Sequence, residues 1–290
     1  MNKLNPLLFA NSLHNGAPIR GFQRHARKVL WFARRHLLRQ KFLTVSVPAL
    51  NLEVRGYTAD YGPRHLYTRG VIEPSLTRYV LENIRLNAGD VALDIGANLG
   101  WYSLILSRLA DTSASIFAFE PDPDNFTLLQ ENVVANSAQQ VTAVSSALGA
   151  ASSTMTLYQS HERNRGRHSL LPLNESRRSL PVKVETLADF WGRKELGSRP
   201  LRFVKIDVEG YELSVLRGAG SLLARCETLI LEYSPQFMRR AALDPQELLR
   251  VVSSAGLEPW VIRNSGLAHV NHNELLALTE QIDVIWKRHS

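Results

Sequence analysis

The sequence predicts a doubly wound α/β fold, and three observations predict it. The first is V-A-L-D-I-G-A-N-L-G at 91–100. Val91 to Asp94 reads as a short buried strand, Gly96 and Gly100 frame a tight turn, and an apolar helical run follows from Trp101 to Leu109. Strand, glycine turn and helix open the nucleotide-binding half of such folds. Glycine reaches backbone angles closed to other residues, and lets a ligand lie against the main chain. The second is the interval of 26 residues from Asp94 to Glu120, the length that a strand–helix–strand unit needs. The third is recurrence: the apolar runs 116–119, 201–208 and 228–231 each carry a carboxylate at the tip, namely Glu120, Asp207 and Glu232. The glycine spacing is Gly-x-x-x-Gly rather than the Gly-x-Gly-x-x-Gly of the usual dinucleotide site, so a different nucleoside cofactor is expected.

Taken in order, residues 1–18 hold Pro6, Gly16 and Pro18 without a clear period and read as a loose end. Ile19 to Phe42 reads as a helix in which Phe22, Val29, Leu30, Trp31, Phe32, Leu37 and Leu38 alternate with basic residues. Residues 44–52 and 54–57 are extended, a candidate hairpin broken by Gly62-Pro63. Pro74 opens a helix toward Leu86, and Asn87-Ala88-Gly89-Asp90 turns the chain into the first strand. Asp124 is the expected cap of a helix over 126–135, and 141–144 is the third strand. Residues 154–158 alternate like a strand. A polar loop from Ser160 to Ser179 follows, then a strand at 182–185 and a helix at 187–191. The length of this region suggests an insertion over the active face, acting as a substrate lid. The fourth strand, 201–208, leads into a helix from Glu212, and the fifth ends at Glu232. Pro235 and Pro245 start two helical regions, with Gly256 as the cap of the second. Residues 260–263 and 282–287 read as the last two strands, their connection starting at Asn264-Ser265-Gly266.

Hydrophobic residues make up 44% of the 290, enough for a sizeable core. No apolar run reaches the roughly 18 residues of a spanning helix, and the segment 6–10 is too short for a secretory signal. The single cysteine, Cys226, excludes an internal disulfide, reads as a small core residue and fits a reducing cytoplasm. The net charge of +7 is concentrated. Residues 1–52 carry nine Lys and Arg and no acid, so they hold +9 and the remainder holds −2. The expected division is a basic arm over 1–52 and a catalytic domain over 53–290, its core starting near 71. A basic amphipathic helix over 19–42 suits an anionic membrane surface, which would place the protein peripherally at the inner membrane surface. The alternative packs the apolar stripe on the domain and leaves the arginines in water. No aromatic–basic repeat supports nucleic acid, and nothing in the pattern sets an oligomeric state.

Four segments in order resemble the FkbM family of S-adenosylmethionine-dependent methyltransferases. They are D-I-G-A-N-L-G at 94–100, F-E-P-D-P-D-N-F-T-L-L-Q-E-N at 119–132, K-I-D-V-E-G-Y-E-L-S-V-L-R-G-A at 205–219 and L-E-Y-S at 231–234. The resemblance covers residues 71–290 and leaves out the arm. It implies the class I methyltransferase fold, a Rossmann-like sheet of seven strands with the last antiparallel and helices on both faces. It also implies O-methylation of a hydroxyl on a sugar or other small polar molecule, lipid-linked if the basic arm meets a membrane. Under it, Asp94, Gly96, Asn98 and Gly100 border the methionine part of the cofactor and Glu120 takes the ribose hydroxyls, its two oxygens matching a vicinal diol. The main chain at Ser146 and Ala147 edges the adenine, with no acidic residue evident there. The bland reading of Asp94 and Asn98 is that they only cap the next helix.

For the acceptor's proton two readings stand. Asp207 or Glu209 is a general base, or Asp207 and Glu232 hold a divalent metal that lowers the hydroxyl's pKa. His168, with Ser169, is a further acceptor-side candidate. Glu212 reads as a carboxylate at a helix start, and Lys205 as structural. A function of another class is a binding protein on a catalytically silent methyltransferase fold. Base methylation lacks its Asn/Asp-Pro-Pro-Tyr motif, although Glu232-Tyr233-Ser234-Pro235 lies near it.

Overall fold

A computed structural model describes residues 6–13, 17–160, 168–172, 178–263 and 266–288. The segment expected to be loose contains helix α1 (Pro6–Ser12), because Phe9, Ala10 and Leu13 are buried in the core and outweigh the missing period. Helix α2 (Gly21–Phe32) runs on through one π-helical turn, Ala33–Leu37, and stops short of the expected Phe42. Phe42 instead opens a hairpin, β1 (Phe42–Val47) with β2 (Leu52–Tyr57), whose alternation places Leu43, Val45, Val47, Leu52 and Val54 inside. The expected boundary at 52/53 falls within this hairpin. Helix α3 (Tyr61–Arg69) stands where Gly62-Pro63 read as a break. Both residues lie in its first turn, where the missing proline N–H has no helical partner to lose. Helix α4 (Pro74–Asn83) follows.

The repeating core is β3 (Val91–Ile95), α5 (Trp101–Arg108), β4 (Ser115–Phe119), α6 (Pro123–Ala135) and β5 (Val141–Val144). The cap of α6 is Asp122, not Asp124: its carboxylate accepts the N–H groups of Asp124 and Asn125 at 3.0 Å. Pro123 takes the first helical position and so shifts the cap two residues back and the helix start three. The insertion forms a separate small sheet from β6 (Ala147–Leu148), β7 (Ser153–Gln159) and β8 (Arg178–Glu185), in the order β6-β8-β7. Parts of the expected lid, 161–167 and 173–177, lie outside the described residues. Then come α7 (Leu187–Arg193), β9 (Leu201–Ile206), α8 (Glu212–Ala219), β10 (Cys226–Tyr233), α9 (Pro235–Arg240) and α10 (Pro245–Ser254). The chain closes with β11 (Leu257–Arg263), β12 (Gly266–His269), α11 (His272–Leu276) and β13 (Ile282–Arg288). Asn264 and Ser265, read as a turn, lie outside the described residues.

The main sheet has the order β12-β11-β13-β10-β9-β3-β4-β5. β3, β4, β5, β9 and β10 are mutually parallel, and β13 is antiparallel to both β10 and β11. This is the class I methyltransferase order with its reversed last strand. It has eight strands rather than seven, because 266–269 folds back on β11 as an edge strand. Alternate residues of each strand feed opposite layers. Ala92, Ala118, Phe203 and Ile230 meet α4 and α5, while Leu93, Phe119, Val204 and Leu231 meet α7, α8 and α10. The hairpin is tied to α6 by two amides: Asn132 and Asn136 each accept an N–H and donate to a C=O of β2, at Arg55 and Glu53.

Candidate active site

From β3 the chain runs outward through β4 to β5, then returns to β9 on the other side of β3. Such a reversal opens a crevice beyond the carboxyl ends of the strands. Asp94, Glu120, Asp207 and Glu232 all stand at that edge. Gly96 lies against β9 so closely that a Cβ built on it would come 1.9 Å from the carbonyl oxygen of Asp207, and its φ is +82°. Gly100 is the N-cap of α5 with φ +89°. Asn98 also takes a left-handed conformation, φ +51°. Its N–H thereby reaches Oε2 of Glu120 at 2.8 Å, while the N–H of Asp122 reaches Oε1 at 2.9 Å. Both Glu120 oxygens are thus fixed in direction and keep lone pairs for further donors. Burial pushes the Glu120 carboxyl up to about 8 against the pull of those two bonds, with the nearby Asp122 and Asp94 charges adding to the rise. Asp94 spends Oδ2 on the N–H and hydroxyl of Ser103 in α5, at 3.0 and 2.6 Å, so its capping role is real.

Two cavities open along this edge. The first, of about 530 Å³ counting the solvent at its mouth, is lined by Glu120, Ser146 and Ala147 and by the apolar Leu148, Leu157, Leu170 and Val208, with Tyr211. Leu157 and Leu170 were missed in the sequence because only the fold brings β7 and the loop after it to the tip of β4. The hydroxyl of Ser146 donates to Glu185 at 2.8 Å, an acid that β8 supplies where none was evident locally. His168, the candidate for the acceptor side, lines this cavity. Its Nδ1 accepts the N–H of Ser160 at 3.1 Å, its Nε2 lies 3.7 Å from Asp122, and its side chain is 7% exposed. Ser169 is buried too, and its hydroxyl donates to the carbonyl of Glu209 at 2.8 Å, tying the loop to the turn after β9.

The second cavity holds about 1200 Å³, counting the solvent at its mouth. Six carboxylates line it (Asp60, Glu73, Asp94, Asp207, Glu209, Glu232) against one ammonium, Lys205. Lys205 is therefore not a bland structural residue. Its Nζ lies 2.6 Å from Asp207 and 4.9 Å from the Tyr102 ring centre. Burial works against its charge, but the carboxylates of Asp207, Glu73, Asp94 and Asp283 outweigh it and hold Lys205 above the ordinary lysine range. Tyr102 donates to Glu73 at 2.7 Å. Asp207, Glu209 and Glu232 each offer an oxygen within 4.8 Å of the others. Burial first, then the charges of Asp207, Glu209 and Glu212, push Glu232 well above the usual carboxylate range. Glu212 accepts the N–H of Gly210 at 2.9 Å and serves the start of α8, as expected. The two cavities share Gly96, Asn98 and Asp207 and meet there.

The Methyltransferase FkbM domain matches residues 94–258, from the strand-tip Asp94 into β11. The chain belongs to the FkbM methyltransferase family. Among curated relatives, a hexuronic acid methyltransferase, AglP, of Haloferax volcanii is 30% identical over 219 residues, 73% of this chain and 82% of the relative. The 31-O-demethyl-FK506 methyltransferase FkbM of Streptomyces tacrolimicus is 36% identical over 56 residues, 19% of this chain and 21% of the relative. The crystal structure of a methyltransferase FkbM from Methylobacillus flagellatus superposes with a TM-score of 0.42 at 14% identity, over 96% of this chain and 57% of that one. As an FkbM member the chain is an S-adenosylmethionine-dependent methyltransferase, an enzyme rather than a silent scaffold. A buried, doubly anchored carboxylate beside an apolar slot fits that nucleoside cofactor.

Proposed function

We propose that this FkbM enzyme O-methylates a hydroxyl of a neutral sugar or similar polyol, carried on a lipid. The observation that carries the reading is the meeting of an apolar, carboxylate-tipped slot with a carboxylate-lined cavity at Gly96, Asn98 and Asp207. S-adenosylmethionine, when bound, supplies the activated methyl group. Glu120 holds the ribose diol, the Ser146–Ala147 edge and His168 flank the base, and the 94–100 turn borders the methionine part. Acceptor and donor then face each other at the junction, where in-line displacement needs an approach of about 3–3.5 Å. Asp207 takes the hydroxyl proton, with Lys205 placed to offset the charge on its carboxylate, and Glu209 and Glu232 accept hydrogen bonds from other hydroxyls.

The Haloferax relative's name supports a sugar acceptor. Six carboxylates against one lysine favour an uncharged sugar over a uronate, whose own carboxylate they would repel. A second reading has Asp207, Glu209 and Glu232 holding a divalent metal, favoured by the convergence of their oxygens. Transfer of labelled methyl to paired neutral-sugar and uronic-acid acceptors, with and without EDTA, tests both. Turnover on neutral sugars that survives EDTA is expected. Preference for the uronate would remove the neutral-acceptor reading, and loss of turnover with EDTA would replace the base by the metal.

A further inference from the structure

Helix α2 is turned inside out relative to an ordinary surface helix. Trp31 is buried at 4% exposure on α3, with its ring 5.4 Å from Tyr67. The arginines of the same face go inward with it. Arg27 and Arg34 lie over the Tyr67 ring at 5.5 and 5.8 Å, and Arg27 donates to the Tyr67 carbonyl at 2.9 Å. The opposite face carries the apolar side chains into solvent: Phe22 is 86% exposed, Val29 68%, Leu30 52% and Phe32 58%. At 100° per residue Phe22 and Val29 fall on one line, with Leu30 and Phe32 on its two sides. Leu37 and Leu38 extend the patch at 74% and 72%. Eight of the ten large apolar side chains exposed among the described residues lie between 7 and 38. Around the patch stand the exposed cations Arg20, Lys28, Arg39 and Lys41, within a segment that contains no acid.

We propose that this face of α2 docks on an anionic lipid bilayer and brings the mouth of the acceptor cavity to the membrane surface. An apolar stripe rimmed by cations matches the acyl boundary and the anionic headgroups together. A second copy of the chain is disfavoured, because it would set two like-charged rims of exposed cations against one another. The mouth follows from adjacency. Arg35 and His36, at the end of the arm helix, share a surface hollow with Asp60, Tyr61 and Arg64, and Asp60 and Tyr61 also line the acceptor cavity. An acceptor anchored by a lipid would enter there without leaving the membrane. This last step rests on the cavity's assignment to the acceptor; the docking itself does not.

Sedimentation of the full chain with vesicles of phosphatidylcholine, alone or mixed with phosphatidylglycerol, tests the docking. Binding is expected only to the anionic vesicles, weakening as salt rises. Phe22→Glu with Val29→Glu should weaken it about tenfold or more while the melting temperature stays put, since both side chains are exposed. Equal sedimentation of variant and wild type would overturn the proposal. So would a concentration-dependent dimer that the variant abolishes. For the mouth, Tyr61→Cys is labelled with an environment-sensitive dye, Cys226 being buried. A blue shift on anionic vesicles is expected, and sedimentation without a shift would overturn the orientation. Calorimetric titration of S-adenosylmethionine into the same variants keeps the questions apart: lost cofactor binding with intact sedimentation would count against the methyltransferase assignment alone.

Discussion

Gly96 shows how one residue joins two strands of the site. A methyl group there would collide with the Asp207 carbonyl at 1.9 Å, and the left-handed φ adds its own penalty. Gly89 has nearly the same φ, +80°, with nothing within 4 Å of its Cβ position. Gly89→Ala should therefore cost only the conformational part, about 1 kcal/mol, and Gly96→Ala about 3 kcal/mol or more, read from chemical denaturation. Equal losses would show that the close approach is relieved elsewhere. Gly96, Asp94 and Glu120 were legible in the sequence because each sits where a strand stops, and local pattern marks that position. Lys205 was not, since alternation along β9 says which side a residue faces but not that Asp207, Tyr102 and three further carboxylates await it there. The surroundings of His168 were hidden for a related reason: only the fold places Asp122 beside that loop histidine.

At the scale of elements, the sequence revealed seven of the eight main-sheet strands, missing only the edge strand β12, but not the packing of the arm. Amphipathicity defines two faces of α2 without saying which one turns inward. The choice is made by Tyr67, whose ring packs against Trp31 and accepts Arg27 and Arg34, which would otherwise have stayed in water. The neighbouring helix α3 carries a pH-sensitive consequence. His65 is half-buried, and burial first, then the charges of Arg69, Arg64 and Arg24, lower it from 6.5 to about 4. The unfolded chain therefore binds a proton that the folded chain refuses between those values. Stability is complete above about pH 6.5 and falls as pH drops toward 4. His65→Gln should flatten that part of the profile, so the difference in melting temperature between pH 7 and pH 5 shrinks. An unchanged difference would mean that other groups carry the acid sensitivity.

For the molecule as a whole, the reversal of strand order between β4 and β9 matters more than any one motif. It opens both cavities at the strand tips around β3, with Gly96, Asn98 and Asp207 as their common wall. The family segments pointed to the first pocket; the second draws on Asp60, Glu73 and Tyr102, which no motif singles out, and on Lys205 inside one. Because the two cavities draw on different residues outside that common wall, they should fail separately. A ligand that binds only the native state stabilises it by about 2.7 kcal/mol at a hundred times its dissociation constant. S-adenosylmethionine should then raise the wild-type melting temperature by several degrees. Glu120→Ala should abolish that rise, because the group expected to hold the ribose is gone. Lys205→Met should keep the rise and lose methyl transfer, since the ammonium faces Asp207 and Tyr102 rather than the nucleoside slot. If Lys205→Met also erased the cofactor-induced shift, the two cavities would be one thermodynamic unit and the division between them would be wrong.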